Sequence, residues 1–212
     1  NKIIIDSNGL NYQSQDDTYT VEYDTSGQTV SIVYSGATVG WIPEDDDTVA
    51  DAPVAPNQAI FAYGGNAAGD KVSMSNLVSS DGVVSADVTG VGTARNRTAG
   101  ANYGGDKGIF FGGDDGSART GVSNLVSNVG VIASDTGAVG TGRSGQAGTG
   151  YGDDLAVFAY GYEPSAEYGA IRNLVSSSGV IASDATVAGG TGRNGTCGAR
   201  YGTGTAIIAY GD

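Results

Sequence analysis

The chain has 212 residues with 23 acidic and ten basic side chains, which gives a formal net charge of −13. This balance argues against binding to nucleic acid or to an anionic membrane surface, because both need clustered Lys and Arg. Membrane insertion is not expected, since no apolar run approaches the roughly 18 residues of a membrane span. The chain has no histidine and a single cysteine, Cys197, so it lacks the commonest general base and can form no internal disulfide.

The N-terminal 56 residues carry ten acidic side chains and one lysine. Residues 18–23 and 29–34 alternate between apolar and polar side chains, a pattern typical of half-buried strands. An acidic run follows at residues 44–47, and residues 51–56 contain two prolines, which is typical of a stiff linker. We therefore predict that residues 1–56 form a small β-module and a linker that serve attachment or oligomerisation.

Two strings in this module, Thr29–Gly36 and Gly40–Pro43, resemble a small β-module of tail-fibre and other structural proteins of tailed bacteriophages. The resemblance implies a virion-surface protein in which an attachment module precedes a repetitive, exposed portion. A location on the virion surface, or elsewhere outside the cell, is the corresponding expectation.

From residue 57 onward the sequence repeats itself. Apolar anchor segments recur every 48 to 50 residues, at Ala59–Phe61, Gly108–Phe110, Ala156–Phe158 and Ala206–Ile208. Between the anchors, Asn-Leu-Val precedes Gly-Val-Val or Gly-Val-Ile, and each unit ends with Thr-Ala-Arg or Thr-Gly-Arg and then Tyr-Gly. A period of this length marks one supersecondary unit copied in tandem. The predicted repeats span residues 57–105, 106–154 and 155–205, and a terminal strand spans residues 206–212.

Each repeat contains about four short runs rich in Val, Ile, Phe and Tyr, which is the pattern of β-strands. The Asp81-Gly82 pair favours a tight turn between two of them. A strand of small residues at 99–103 suits a place where backbones approach closely. Because no stretch has the helical spacing of apolar residues, the predicted fold class is all-β, with tandem four-stranded repeats behind a small β-module.

Within the repeats, Arg95 is followed by Tyr103-Gly104 and then by an apolar strand that ends in Gly112-Gly113. This succession resembles a degenerate kelch repeat that lacks the usual tryptophan. The resemblance implies blades like those of a β-propeller, which typically has four to eight of them. Three repeats cannot close such a ring. Three arrangements remain open: a longer natural chain, blades completed by other chains, or an open β-solenoid.

No catalytic residues are predicted, but four carboxylates in glycine-rich loops are candidates for chemistry: Asp114, Asp115, Asp153 and Asp154. Asp beside Gly is ordinary turn chemistry, and this is the favoured interpretation. Adjacent carboxylates in a flexible loop can also bind Ca²⁺, which is the one cofactor considered, and Glu44–Asp47 offers a similar cluster. A carboxylate pair that cleaves a polysaccharide is the third interpretation.

An arginine recurs at an equivalent place in each repeat, and the favoured interpretation of it is structural rather than ligand-binding. We expect each arginine to connect strands or blades through hydrogen bonds to loop carbonyls or to a repeat aspartate. The arginines are Arg95, Arg143 and Arg193, and the aspartates are Asp87, Asp135 and Asp184.

Tyrosines are the predicted ligand-binding residues, because the ring offers a flat apolar face with a hydrogen-bonding tip that suits sugar rings. The candidates are Tyr63, Tyr103, Tyr151, Tyr160, Tyr162, Tyr168 and Tyr201, with Tyr210 beside them. All are expected to be exposed, although half or more of them should also take part in packing.

Together these features predict a non-enzymatic structural and adhesive protein, namely a phage virion-surface or tail-fibre component. Its expected partners are other copies of itself, in a trimer or polymer, and a host-surface glycan bound through many weak copies. The alternative is a secreted or cell-surface, kelch-like carbohydrate-binding protein of a bacterium. The third possibility is a polysaccharide hydrolase.

Overall fold

The computed structural model describes residues 3–16, 18, 20–23, 29–44, 59–165 and 168–212. Over these residues the protein has fifteen strands and no helix, which confirms that the fold class is all-β. None of the described residues belongs to a helix that could span a bilayer. The chain divides into two compact units, Asn1–Asn57 and Gln58–Asp212.

The first unit contains two antiparallel strand pairs. Its strands are β1 (Ile3–Ile5), β2 (Val21–Tyr23), β3 (Ile32–Tyr34) and β4 (Trp41–Pro43), with β1 paired to β2 and β3 to β4. Both β2 and β3 lie inside the two alternating stretches of the sequence. A small core of Tyr12, Val21 and Tyr23 is buried between the pairs, and the Tyr12 and Tyr23 hydroxyls share a hydrogen bond. The predicted linker at 51–56 and the acidic residues 45–47 lie outside the described residues.

The second unit consists of four antiparallel sheets that follow one another along the chain. Sheet 1 contains β5 (Ala59–Gly65) and β6 (Lys71–Val78). Sheet 2 contains β7 (Ala99–Tyr103), β8 (Lys107–Phe111) and β9 (Ser123–Val126). Sheet 3 contains β10 (Ala147–Tyr151), β11 (Leu155–Ala159), β12 (Ile171–Val175) and β13 (Ala185–Thr186). Sheet 4 contains β14 (Cys197–Tyr201) and β15 (Thr205–Ala209).

The sheets are offset from the sequence repeats. Each of sheets 2 and 3 begins with the small-residue strand at the end of one repeat and continues with the anchor strand and the Asn-Leu-Val strand of the next. Sheet 1 has an anchor strand, β5, without a small-residue strand beside it. Sheet 4 has a small-residue strand and an anchor strand, β15, without an Asn-Leu-Val strand in the described part of the chain. Sheet 3 has four strands, and each of the two end sheets contains only two of the strand types found in it.

The predicted turn at Asp81-Gly82 forms, but the strand expected after it is reduced to one bridge, between Val78 and Val84. Gly82 has a φ of +77°, which glycine adopts without steric cost. Its amide donates to the Ser79 carbonyl at 3.0 Å. The other two repeats have the same turn and the same single bridge, so this segment ends each Asn-Leu-Val strand instead of adding a full one.

The small-residue strands β7, β10 and β14 pack side by side where the sheets converge. A Cβ atom built on Gly148 would lie 2.5 Å from the Gly100 carbonyl oxygen, and one on Gly198 would lie 2.9 Å from the Gly148 carbonyl oxygen. Real Cβ atoms do not approach a carbonyl oxygen so closely, so positions 148 and 198 both require glycine. The spacing between neighbouring sheets thus depends on the absence of side chains from these strands.

Further from this convergence, large apolar side chains fill the space between sheets 2 and 3. The rings of Phe111 and Phe158 lie 5.0 Å apart between centroids, and both are fully buried. Ile109 and Val175 are buried in the same cluster. The anchor strands therefore supply the core, as their continuous apolar runs predict.

We predict that Gly148→Ala lowers the free energy of unfolding by about 2 kcal/mol, because the new methyl group would overlap the Gly100 carbonyl. The matched control is Gly137→Ala, since a Cβ atom at Gly137 meets nothing within 4 Å. This control should change stability by less than about 0.5 kcal/mol. Urea denaturation of both variants measures the difference, and equal effects would contradict the proposed contact between β7 and β10.

Candidate functional site

A buried arginine connects sheet 1 to sheet 2. Arg95 precedes β7 and is fully buried. Its Nε donates to the Gly112 carbonyl at 2.8 Å, and its Nη2 donates to the Asn124 side-chain oxygen at 2.5 Å. Its Nη1 lies 3.6 Å from the carboxylate of Asp135. We call such a set of one arginine with the asparagine and aspartate of the next repeat an arginine junction.

The next repeat forms a second arginine junction. Arg143 is also fully buried, and its Nη2 donates to the side-chain oxygen of Asn173 at 2.5 Å. Its Nη1 lies 3.7 Å from the carboxylate of Asp184. The pKa of Arg143 is lowered by burial to about 10, although Asp184 and Glu163 act in the opposite direction. The guanidinium therefore stays charged at neutral pH.

Each arginine also stacks on an aromatic ring of its own repeat. The Arg95 guanidinium lies 4.1 Å from the centroid of the Tyr63 ring, and the Arg143 guanidinium lies 5.4 Å from that of Phe111. Such a stack contributes cation–π attraction and shields the charge from water. Each arginine thus contacts a ring in one sheet and polar groups in the next. The expectation that these arginines connect strands is confirmed for Arg95 and Arg143.

The aspartate of each junction binds the preceding repeat through a second contact. Asp135 accepts hydrogen bonds from the backbone amide of Thr93 at 2.9 Å and from its hydroxyl at 2.6 Å. Burial by itself raises the pKa of Asp135, but the hydrogen bonds from Thr93 and Asn124 and the charge of Arg95 outweigh it, so the pKa is lowered. The pKa of Asp184 is lowered in the same way, where Asn173 and Thr141 donate the hydrogen bonds.

Sequence reasoning missed the two junction asparagines. Asn124 and Asn173 are fully buried, and each donates its amide to the junction aspartate eleven residues later. A signal for them was present, because the Asn of the Asn-Leu-Val motif and the following Asp recur at this constant spacing in all three repeats. The Asn-Leu-Val motif was interpreted only as a strand, and no role was assigned to its asparagine.

We predict that Asp184→Ala lowers the free energy of unfolding by about 2 kcal/mol or more, because it leaves the buried Arg143 without its carboxylate. The same change also removes the acceptor for the Thr141 amide. The control is Asp153→Ala, whose side chain is almost fully exposed and lies 3.9 Å from Arg200. Its loss should cost less than about 0.5 kcal/mol. Urea denaturation that gave equal losses for both variants would show that the junction does not stabilise the fold.

The lowered pKa values of Asp135 and Asp184 predict a loss of stability in acid. Both are held below the ordinary value of 3.8 in the folded protein, so their contribution is present above that value and is lost as pH falls through the folded pKa. We expect the free energy of unfolding, measured by urea denaturation, to fall as the pH is lowered from about 5 to about 2. The double variant Asp135→Asn/Asp184→Asn should decline less steeply. Gly137→Ala, which changes no ionisable group, should decline like the unaltered chain.

Three of the predicted ligand-binding tyrosines are buried, and the expectation that they are exposed is wrong. Tyr63 lies under Arg95, and Tyr160 lies under Arg193, whose guanidinium is 4.3 Å from the ring centroid. Tyr103 packs in the core between sheets 2 and 3. Burial raises the pKa of the Tyr63 and Tyr103 hydroxyls. The rings of all three are occupied by packing.

The remaining tyrosines are more accessible. Tyr151 and Tyr162 are half-buried, and Tyr162 packs against Tyr168 with 6.3 Å between ring centroids. Tyr168 is exposed, Tyr201 is 58% exposed and Tyr210 is 85% exposed. Tyr103, Tyr151 and Tyr201 occupy equivalent positions at the ends of the small-residue strands, yet their exposure rises from the first copy to the last. A ring available to a ligand is therefore found at the last copy.

The four candidate carboxylates separate into two loops. Asp114 accepts the Gly116 amide at 2.8 Å, and Asp115 accepts the amides of Ser117 and Ala118 at 2.7 and 2.8 Å. These backbone donors lower the pKa of Asp115 and are those of an ordinary Asp turn.

In the second loop, the Asp153 side chain is exposed, and the Asp154 carbonyl accepts the Gly104 amide at 2.7 Å. Among the described residues no group of three or more Asp, Glu, Cys or His is placed to hold a metal ion. Binding of Ca²⁺ by these carboxylates stays a prediction.

A polar cleft of about 270 Å³ opens where the three small-residue strands converge. Asn102 on β7, Thr149 on β10 and Arg200 on β14 line it, together with Asp153 and Tyr103. The small side chains of the strands leave room for the cleft, and the polar ones supply hydrogen-bond donors and acceptors. It brings one residue from each of three repeats to a single concave surface.

No protein-family model matches the sequence, and no curated protein matches it. Similarity is found in the fold. The solved structure described as that of YjhT matches with a TM-score of 0.51 and 12% sequence identity, over 92% of this chain and 70% of that one. At this identity the match shows a similar all-β fold and nothing about activity.

Proposed function

We propose that this chain is a non-enzymatic structural and adhesive protein that binds a surface glycan with the cleft between β7, β10 and β14. The observation that carries the proposal is the convergence of three repeats on one polar concave surface. Asn102, Thr149 and Arg200 offer amide, hydroxyl and guanidinium groups there. Binding sites for small polar ligands are concave and contain a few convergent polar groups of this kind.

A sugar fits this surface better than an apolar ligand does. Amide, hydroxyl and guanidinium groups can donate to and accept from the ring hydroxyls of a saccharide. The net charge of −13 favours a neutral glycan, or one bound locally by Arg200, over a polyanion.

The setting we propose is the surface of a phage virion, with the repeats as blades of a kelch-like propeller and several copies acting together. The resemblance of Thr29–Gly36 and Gly40–Pro43 to phage structural modules supports the virion setting. The repeated arginine junction supports a tandem blade arrangement, because each blade uses the same contacts to its neighbour. Several weak sites on one assembly would add through multivalency.

Binding of the chain to a panel of bacterial surface polysaccharides, measured by isothermal titration calorimetry, tests this function. Arg200→Ala should weaken binding about tenfold, as expected for loss of one charge-assisted hydrogen bond. Tyr168→Ala is the matched control, because Tyr168 is exposed and does not line the cleft.

The length of the polysaccharide after incubation separates adhesion from hydrolysis. Size-exclusion chromatography should show an unchanged chain length. Shortening of the polysaccharide would replace the adhesive function by a hydrolytic one. Equal loss of affinity in Tyr168→Ala and Arg200→Ala would refute the assignment of the cleft.

A further inference from the structure

The two ends of the second compact unit, Gln58–Asp212, carry the two halves of an arginine junction. At the C-terminal end, Arg193 stacks on Tyr160, and its Nη2 lies 3.5 Å from the Ile208 carbonyl. Among the described residues Arg193 has no asparagine or carboxylate partner, and its Nε, like that of Arg143, is buried without an acceptor. The donor half of a junction is therefore in place there, and the acceptors that Arg95 and Arg143 have are missing.

At the other end, sheet 1 holds the acceptor half. Asn76 donates its amide to Asp87 at 2.9 Å and to the Ser85 carbonyl at 3.1 Å. Asn124 and Asn173 make the same pair of bonds in the two complete junctions. No guanidinium contacts Asn76 or Asp87 within the part of the chain that the structure describes. The acceptors are thus already oriented for an arginine.

An apolar contact is divided between the ends in the same way. In the complete junctions the glycine turn of one repeat lies on the leucine of the previous one: a Cβ atom on Gly130 would be 2.4 Å from Leu77. Gly179 contacts Leu125 likewise. At the ends, Leu174 is 36% exposed, and a Cβ atom on Gly82 would meet nothing within 4 Å. Leucine and turn are both present and both uncovered.

The anchor strands at the two ends are nearly the same sequence. Residues 59–64 read Ala-Ile-Phe-Ala-Tyr-Gly, and residues 206–211 read Ala-Ile-Ile-Ala-Tyr-Gly. Tyr63 and Tyr210 also share a left-handed backbone, with φ of 66° and 62°. β15 can therefore make the backbone hydrogen bonds to β6 that β5 makes, with Ile208 opposite Asn76 where Phe61 now lies.

Sheet 1 also has room for the strand that would accompany β15. A groove of about 530 Å³ opens between β5 and β7, lined by Phe61 and Met74 on one side and by Gly100 on the other. This is the place where the small-residue strand of sheet 1 would lie, because β7 contacts the equivalent strand β10 on its other side. β14, which is paired with β15, is a strand of that kind.

We propose that two copies of this chain complete each other's end sheets: β14 and β15 of one copy join β6 of the other, and β15 takes the place of β5. Arg193 of one copy then binds Asn76 and Asp87 of the other, and Leu174 is covered by the Gly82 turn. Each copy contributes two complete sheets and half of two shared ones, so the pair forms a ring of six. That number lies within the four to eight of known propellers.

A second copy is favoured over closure within one chain, because one chain closing on itself would form a ring of only three sheets. The exchange leaves β6 paired, since β15 offers the same anchor sequence as β5. It releases β5, so Tyr210 of the other copy takes the position of Tyr63 against Arg95. This inference rests on the self-association within the proposed function but not on glycan binding. Its tests measure assembly alone, so failure of one leaves the other to be judged separately.

Sedimentation equilibrium of the 212-residue chain should give twice its mass of 21.1 kDa. Arg193→Ala, and separately Asn76→Ala/Asp87→Ala, should each weaken the dimer about thirtyfold, the effect of losing a strong interface contact. Lys107→Ala is the control, because the Lys107 side chain is 39% exposed and, among the described residues, forms its ion pair with the neighbouring Asp106. A monomeric mass, a mass above that of two chains, or equal dimerisation of all variants would overturn the proposal.

Mixing the two variants shows whether the contact runs from head to tail. The Arg193→Ala chain retains the acceptor half, and the Asn76→Ala/Asp87→Ala chain retains the donor half, so a mixture can form one intact junction. It should dimerise more tightly than either variant alone. No gain on mixing would contradict the pairing of Arg193 with Asn76 and Asp87. Asn76 is half-buried and Asp87 is exposed, so the weaker dimer expected of Asn76→Ala/Asp87→Ala alone tests the contact even where Arg193→Ala does not fold.

A disulfide tests the strand exchange itself. In a Cys197→Ser background, a chain with Leu77→Cys and a chain with Ile207→Cys are refolded together and oxidised. Ile207 of β15 should face Leu77 as Ile60 of β5 now does, so a disulfide-linked pair should form. Val72→Cys, further along β6, is the control and should not crosslink to Ile207→Cys. Absence of the linked pair, or equal linkage through Val72→Cys, would overturn the exchange.

Discussion

The buried guanidinium between neighbouring sheets is the constraint on which the rest of the repeat unit depends. A charge removed from water destabilises the fold unless hydrogen bonds and an opposite charge surround it. The surroundings of the Arg95 guanidinium come from two repeats, because the stacked Tyr63 ring lies in sheet 1 and the asparagine and aspartate belong to the next repeat. The sequence separation between arginine and asparagine is 29 in the first junction and 30 in the second. The requirement for this contact explains why the period is held near its value while loop sequences vary.

The glycines on the small-residue strands and the arginines at the junctions both depend on neighbouring sheets lying close together. The arginine can reach the next repeat only if the sheets lie close together. Gly148 and Gly198 allow that approach where the strands converge. Side chains return further out, where Phe111 and Phe158 fill a widening gap. The combination of bare backbone at the convergence and aromatic packing outside it gives each sheet a fixed relation to its neighbour within this unit.

The sequence was sufficient for the all-β fold class and for the structural role of Arg95 and Arg143, because each follows from a pattern that recurs. It was not sufficient to predict which tyrosine side chains are exposed to solvent. Tyr103 and Tyr201 have the same motif position, yet Tyr103 is 4% exposed and Tyr201 is 58% exposed. The difference arises from what lies beside each copy, and no local pattern records that. The offset between sheets and repeats escaped prediction for a related reason, since strand pairing joins residues on both sides of the boundary that the motifs define.

This position dependence has a consequence for where recognition can occur in a tandem array. In inner copies, equivalent residues are covered by contacts with the next repeat, as Leu125 is covered by the Gly179 turn. The same residue types remain uncovered in a terminal copy, as Leu174 does. Under the proposed assembly, these uncovered surfaces bind a second copy, because their residues match those that contact each other between inner copies. In the proposed function, the polar cleft where β7, β10 and β14 of one copy converge is the surface that holds the glycan.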